Sequence, residues 1–155
     1  MKKILFILLL SGAFSFTETR AQLSLSLNVN IGTQPLWGPV GYDHVDNYYI
    51  PDIETYYNVS SKQYTYMENG RWITTSSLPA RYRNFDLYTA HKVVANESKP
   101  WLHNDMYRKK YASFKGKHDQ QAIRDSHDNK YFENKDHPRH NEWKKDDNHG
   151  KKGRG

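Results

Sequence analysis

The dipeptide Asn69-Gly70 constrains the fold of this chain more than any other feature of its sequence. Both residue types accept the positive φ angles of a type I′ turn. Short runs with β propensity, Gln63–Glu68 and Arg71–Ser76, flank the pair on its two sides. The sequence therefore predicts a β-hairpin with a two-residue loop, and such a loop fixes three cross-strand pairs: Glu68 with Arg71, Met67 with Trp72, and Tyr66 with Ile73.

Further β-like runs surround this hairpin. Asp52–Val59 precedes it, His91–Asn96 follows it, and Leu78-Pro79 marks the end of the meander. Because side chains alternate along a strand, one face should collect the aromatic and branched residues Tyr57, Val59, Tyr64, Tyr66 and Ile73. The pattern favours a mainly β fold, a small antiparallel meander.

The segment before the meander alternates strictly between apolar and polar residues. Leu23, Leu25, Leu27, Val29 and Ile31 are separated by Ser or Asn, which is typical of a half-buried strand. Residues 32–41 are rich in Gly and Pro, and we expect a loop anchored by Trp37.

One helix is predicted after the meander. Pro100 suits the first turn of a helix, and Gly116 suits the position just beyond its end, near Phe114. Tyr107, Tyr111 and Phe114 recur on one face of such a helix, so that face should pack on the sheet.

Apolar and charged residues divide the chain into unlike parts. Residues 22–102 contain 18 of the Ile, Leu, Val and Met side chains, and residues 103–155 contain 2. The later segment instead carries 14 Lys and Arg, 9 Asp and Glu, and 6 of the 8 His. Only the earlier part can bury enough apolar surface to offset the entropy of ordering a chain. We therefore expect an aromatic-rich β domain with its C-terminal helix over 22–116 and a disordered His/Lys/Asp-rich tail over 117–155.

The first 21 residues have the features of a signal peptide. Lys2 and Lys3 precede an apolar run of about 13 residues, which is shorter than the roughly 20 that a membrane-spanning helix needs. Thr19-Arg20-Ala21 provides small residues at a cleavage site. We expect export, cleavage after Ala21, and a periplasmic or extracellular protein without a transmembrane segment after processing.

Two chemistries are conceivable for the tail. His118, His127, His137, His140 and His149 alternate with carboxylates, and both groups bind divalent transition metals. Nothing in the sequence holds three or four such ligands together, so the pattern predicts at most weak metal buffering. The net positive charge would attract anionic polymers, although nine acids dilute it. Because the chain is exported, nucleic acid is not an expected partner.

The β domain carries an unusual number of aromatic residues, which allow two interpretations. They either fill a core that is poor in aliphatic side chains or form a Tyr/Trp face that binds an envelope polymer or protein. The residues concerned are Trp37, Tyr56, Tyr57, Tyr64, Tyr66, Trp72 and Trp101.

No catalytic constellation is recognisable, and we predict no enzymatic activity, no cofactor and no metal site. The chain has no Cys, which excludes disulfides and thiolate chemistry. Ser60 and Ser61 lack a nucleophile motif, the His44 region lacks a nucleophile, and Asp52 and Glu54 should share a strand face as solvated acids.

Several segments make the chain resemble an uncharacterised family of small exported proteins of the Bacteroidota. They are the Trp37-Gly38-Pro39-Val40-Gly41 loop, the Asn69-Gly70-Arg71-Trp72 hairpin and the segment Leu78-Pro79-Ala80-Arg81-Tyr82-Arg83. The resemblance implies export and a compact β-rich domain, and it implies no activity, ligand or site residue. Together these patterns predict a non-enzymatic binding or structural module of the cell envelope, with metal buffering by the tail as the alternative. The ligand and oligomeric state are not predicted.

Overall fold

The computed structural model of the protein describes residues 29–145 and has one five-stranded antiparallel sheet at its centre. The strands follow the order β4-β3-β2-β1-β5 across the sheet. Their bounds are β1 Asn47–Ile50, β2 Thr55–Asn58, β3 Gln63–Glu68, β4 Arg71–Thr75 and β5 Val93–Ala95. Strands β1 to β4 form a meander, and β5 returns beside β1. The prediction of a mainly β, antiparallel fold is confirmed.

The hairpin between β3 and β4 has the predicted register. Its cross-strand partners include Glu68 with Arg71, Met67 with Trp72, and Tyr66 with Ile73. Asn69 and Gly70 have φ angles of 50° and 75°, as a type I′ turn requires. The turn chemistry of two residues therefore determines which side chains of this hairpin share a face.

Strand β1 was not anticipated from the sequence. Tyr48 and Tyr49 are both fully buried, because one points to each face of the sheet and both faces are covered. A strand that is buried on two sides has no alternation of apolar and polar residues, which is the pattern that reveals a half-buried strand.

Each face of the sheet packs against a different part of the chain. On one face, which we call the Trp37 face, Trp37 of the 32–41 loop packs with Val45 and the side chains Tyr48, Tyr57, Val59, Tyr64 and Tyr66. The other face, which we call the helix face, presents Tyr49 and Tyr56 to Tyr107 of the following helix. The anchoring role predicted for Trp37 and the shared face of Tyr57, Tyr64 and Tyr66 are both confirmed.

The predicted helix over 100–114 is present in three pieces. A 3-10 turn, Pro100–His103, leads into α1, Asn104–Lys110, and a second 3-10 turn, Ala112–Phe114, follows. Tyr107 contacts the sheet through Tyr49, with ring centroids 5.3 Å apart. Gly116 has a φ of 70° just beyond the last turn, as expected of a residue that ends a helix.

Some predicted boundaries differ from the structure. The strand expected over 23–31 falls mostly on residues 23–28, which lie outside the described residues. Its last residue, Ile31, begins a 3-10 turn, Ile31–Thr33, and is buried. The run at 52–59 starts with a tight turn, so only Thr55–Asn58 is strand.

The prediction of a disordered tail is wrong for residues 117–145. Ile123, Tyr131 and Phe132 are almost completely buried, and Ile123 and Tyr131 pack against Ile31 of the N-terminal 3-10 turn. The segment folds into two 3-10 turns, Ile123–Asp125 and Asn129–Glu133, and residues 140–145 are helical. The rest of the predicted tail, residues 146–155, lies outside the described residues.

Backbone hydrogen bonds explain why a segment so poor in aliphatic residues is ordered. The peptide N–H groups of Ile123 and Arg124 donate to the carbonyls of Gly38 and Leu36, and the Val40 N–H donates to the Gln121 carbonyl. The segment therefore provides hydrogen-bond partners for the N–H and carbonyl groups of the 32–41 loop, which pairs with no strand of the sheet. A count of apolar side chains does not detect this contribution.

Among residues 29–145, no helix is long and apolar enough to cross a membrane. The predicted signal peptide, residues 1–21, lies outside the described residues.

Candidate functional site

Most of the aromatic residues proposed for a binding face belong to the core. Five of the seven are at most 9% exposed: Trp37, Tyr56, Tyr57, Tyr64 and Tyr66. Trp37 packs edge-on against Tyr57 with ring centroids 4.8 Å apart, and Tyr57 lies 4.8 Å from Tyr64. For these five residues the core interpretation is correct.

Trp72 and Trp101 differ from the others, because both are only partly buried and line a groove on the helix face. We call this groove, with a volume of about 520 Å³, the indole groove. Its other lining residues are Met67, Leu102, His103, Asn104, Asp105 and Met106. Met67, Met106 and Leu102 are 41%, 45% and 65% exposed, so the groove is bordered by accessible apolar side chains.

The buried ring of Tyr56 packs against the indoles of both Trp72 and Trp101. Its ring centroid lies 5.9 Å from that of Trp72 and 6.4 Å from that of Trp101, with interplanar angles of 71° and 64°. The Tyr56 hydroxyl donates a hydrogen bond of 2.8 Å to the Asn104 side-chain oxygen. Burial raises the pKa of Tyr56, so this hydroxyl stays protonated as a donor. The two indoles therefore rest on a buried and hydrogen-bonded ring.

The helical wall of the groove is fixed by Glu97, which precedes it in the chain. One carboxylate oxygen of Glu97 accepts a hydrogen bond from the Tyr107 hydroxyl, and the other lies 3.0 Å from His103 Nδ1. These hydrogen bonds, first that of Tyr107 and then that of His103, lower the pKa of Glu97. The Glu97 carboxylate thus links the Pro100–His103 turn to α1 through hydrogen bonds with one residue of each.

The physical properties of the groove suit non-covalent binding. Its size falls within the range of about 300–1,000 Å³ that is common for ligand sites. Tryptophan provides a large apolar surface at low entropic cost, and methionine adapts its shape to different partners. Asp105 and Asn104 add polar groups at one side. Nothing in this set supplies a nucleophile with an adjacent base.

The residues considered for catalysis are not brought together. His44 Nε2 lies 3.0 Å from Asp46, and in the described part of the chain no side-chain hydrogen bond joins either residue to Ser60 or Ser61. Asp52 and Glu54 lie in the turn between β1 and β2 and do not share a strand face, which corrects the expectation from the sequence. Asp52 accepts a hydrogen bond from the Gly116 N–H, and Glu54 pairs with Arg108 and Lys115. Both acids therefore attach the helical segment to the sheet.

The tail histidines make individual structural contacts. His137 is buried; its Nε2 lies 3.2 Å from the Ile123 carbonyl, and its Nδ1 accepts from the Arg139 N–H. His140 Nδ1 lies 2.7 Å from the Phe132 carbonyl. Across residues 29–145 no three His, Asp or Glu side chains are grouped so that they could hold a metal ion. His149 lies outside the described residues.

Three basic side chains of the same segment form ion pairs in the described structure. Arg124 pairs with Asp125 and Arg139 with Glu142, while Lys130 reaches Asp43 of the N-terminal loop. The charge of these three groups is therefore balanced within the described structure and is less available to an anionic polymer.

One buried charge gave no signal in the sequence. Lys92, the residue just before β5, is 1% exposed, and its Nζ donates to the Leu87 carbonyl over 2.8 Å. Burial lowers the pKa of this ammonium group to about 8. The main chain of Lys92 is also hydrogen-bonded: its N–H donates to the Gln120 side-chain oxygen, and its carbonyl accepts from the Gln120 side-chain nitrogen.

Comparison with protein-family models, with curated proteins and with solved structures gives no significant match for this chain. The Bacteroidota resemblance therefore stays a prediction from the sequence segments, and the interpretation of the groove rests on its geometry.

Proposed function

We propose that this chain is an exported, non-enzymatic binding module of the bacterial cell envelope that holds its partner in the indole groove. The observation that carries the proposal is the partly buried pair Trp72 and Trp101, which is supported by the buried ring of Tyr56. The inner sides of the two indoles pack on the core at Tyr56, and their outer sides remain accessible in the groove. Large apolar groups that remain accessible in a rigid setting are typical of binding sites.

The envelope location rests on residues 1–21, whose basic start, short apolar run and small residues near Ala21 are typical of a cleaved export signal. Partners in that compartment are polymers and proteins of the envelope, and both can present apolar surface to an indole pair. The mature chain would begin at Gln22.

A capture experiment tests the use of the groove. Mature protein is immobilised and exposed to detergent-solubilised envelope extract as wild type, as Trp101→Ala and as Trp143→Ala. Trp143 is a suitable control because it is also partly buried but stacks on His140, far along the chain from the groove. We expect the retained material to be lost with Trp101→Ala and kept with Trp143→Ala. The proposal would be contradicted if Trp101→Ala retained as much material as the wild type, or if the wild type retained none.

A further inference from the structure

Strand β4 is an edge of the sheet with unused hydrogen-bonding groups. The two-residue loop makes Glu68 and Arg71 a hydrogen-bonded pair, so Ile73 also directs its peptide groups to β3. The N–H and carbonyl groups of Trp72 and Thr74 consequently point away from the sheet. No residue of the described 29–145 bonds to them.

The opposite edge of the sheet is covered at one end. Just before β5, the side chain of Gln120 bonds both peptide groups of Lys92 where a neighbouring strand would otherwise bond. Strand β4 has no such cover, and its sequence, Arg-Trp-Ile-Thr-Thr, contains no Pro and no central charge. Proteins commonly block exposed edges with these devices, and an edge without them is a template for another strand.

Trp72 belongs to both the free edge and the indole groove. Its peptide groups face outward from β4, and its side chain lies on the helix face beside Met67. Side chains of a strand added to β4 would alternate between the faces, so the residues opposite Trp72 and Thr74 would also point to the helix face. An added strand would therefore place an apolar side chain at the groove.

An exposed charge at the edge indicates one side chain of such a strand, and we take the strand as antiparallel because that pairing is slightly more stable. Arg71 is exposed and makes no ion pair within the described residues, because Glu68 across the hairpin pairs with Arg81. In an antiparallel addition, the residue that follows the one opposite Trp72 would lie across from Arg71. A carboxylate at that position would complement the unpaired guanidinium.

We propose that the β4 edge and the indole groove together bind an extended polypeptide segment of another protein as an antiparallel sixth strand. The segment places an apolar side chain beside Trp72 in the groove and a carboxylate across from Arg71. This inference rests on the proposed function and names its ligand class. Recognition by strand addition takes affinity from main-chain hydrogen bonds and specificity from the pockets for alternate side chains.

A second copy of this chain fits the edge less well. Antiparallel pairing of two β4 strands centred on Ile73 would place Arg71 opposite Thr75 of the other copy, which offers no carboxylate. A pair of five-residue edges is only about 17 Å long, so the main chain alone offers a short line of contact.

The test uses the mature protein and a fixed probe, the peptide acetyl-Lys-Thr-Val-Thr-Leu-Glu-amide, whose Leu and Glu correspond to the positions opposite Trp72 and Arg71. Binding is followed by tryptophan fluorescence. The variant Thr74→Pro removes the outward N–H and the side-chain hydroxyl of Thr74, and an edge strand tolerates Pro at such a position. The matched control Thr74→Val also removes the hydroxyl but keeps the N–H. We expect Thr74→Pro to weaken binding at least tenfold and Thr74→Val to change it less than threefold.

Probe peptides give an independent control. Methylation of the Leu nitrogen removes an N–H that would donate to the Trp72 carbonyl, whereas methylation of the preceding Thr nitrogen alters an N–H that points to solvent. We expect at least a tenfold loss for the first and less than threefold for the second. Thermal melting confirms that each variant folds.

The outcomes separate this inference from the proposed function. If Trp101→Ala abolishes binding of the probe while Thr74→Pro matches Thr74→Val, the groove binds without strand addition and the inference is overturned. Failure of the wild type to bind the probe at millimolar concentration also overturns it, whatever the capture experiment shows. A wild-type dimer in sedimentation that Thr74→Pro dissociates would assign the edge to a second copy, which contradicts the proposed occupant.

Discussion

Replacement of Ile123 tests whether the segment after residue 116 is an integral part of the folded domain. Ile123 is 0% exposed and packs with Ile31 and Tyr131, with Leu36 and Val40 at the periphery. Removing the buried side chain of an Ile costs about 2–5 kcal/mol, and the cost is smaller where the surroundings can collapse. The cluster lies between a loop and short 3-10 turns, so we expect Ile123→Ala to cost about 2–3 kcal/mol.

Thermal unfolding followed by circular dichroism measures this cost. For a folded unit of this size, 2–3 kcal/mol corresponds to a fall in Tm of roughly 6–15 °C. Leu102→Ala is the control, because Leu102 is 65% exposed and its replacement should change the free energy of unfolding by less than about 0.5 kcal/mol. If Ile123→Ala melts within a degree or two of the wild type while Leu102→Ala does the same, residues 117–145 are not part of the cooperative unit, and our argument about their packing fails.

Three further predictions concern the turn, the buried lysine and the export signal. Gly70→Val should cost at least about 1–2 kcal/mol, because Gly70 has a φ of 75°, whereas Gln63→Val at an exposed strand position should be nearly neutral in urea unfolding; equal effects would contradict the turn assignment. The folded-state pKa of Lys92 is lowered from 10.5 to about 8, so the unfolded chain binds more protons between these values and stability rises with pH in that window. Between pH 7.5 and 9.0 the wild type should gain about 0.5–1 kcal/mol relative to Lys92→Met, after allowance for solvent screening, and an identical pH dependence of the two proteins would refute the assignment. Finally, intact mass of the exported protein should show a chain that begins at Gln22, and retention of Met1 would identify residues 1–21 as an anchor.

The sequence was sufficient wherever structure follows from local chemistry. Asn69-Gly70 determined the turn, and the turn determined the register and the shared face of Tyr64 and Tyr66. Pro100 and Gly116 likewise marked the limits of the helical segment.

The sequence was insufficient where structure depends on distant contacts. Tyr48 and Tyr49 form a strand only because separate segments cover both faces, and 117–145 is ordered by bonding to the main chain of a loop about 85 residues earlier. Glu54 and Lys62 adopt positive φ angles of 46° and 56° that their residue types do not indicate.

The candidate site was only partly predictable. Trp72 and Trp101 were among the seven aromatics singled out, but composition could not separate them from the five that fill the core. The difference arises because Tyr56 is covered by the indoles and α1 together, while the indoles lie at the boundary of that cover. The free edge of β4 depends on the order of strands, which only the folded chain reveals.

Amide hydrogen exchange of Trp72 and Thr74 tests the central claim most directly, since the claim is that the groove and the β4 edge form one binding site. Both N–H groups point away from the sheet and have no partner in the described structure, whereas the Ile73 N–H is bonded to β3 and serves as an internal reference. With the probe peptide at saturation, we predict at least tenfold slower exchange at Trp72 and Thr74 and little change at Ile73. Unchanged exchange at Trp72 and Thr74, while the Trp101 indole signal shifts with bound peptide, would contradict the claim.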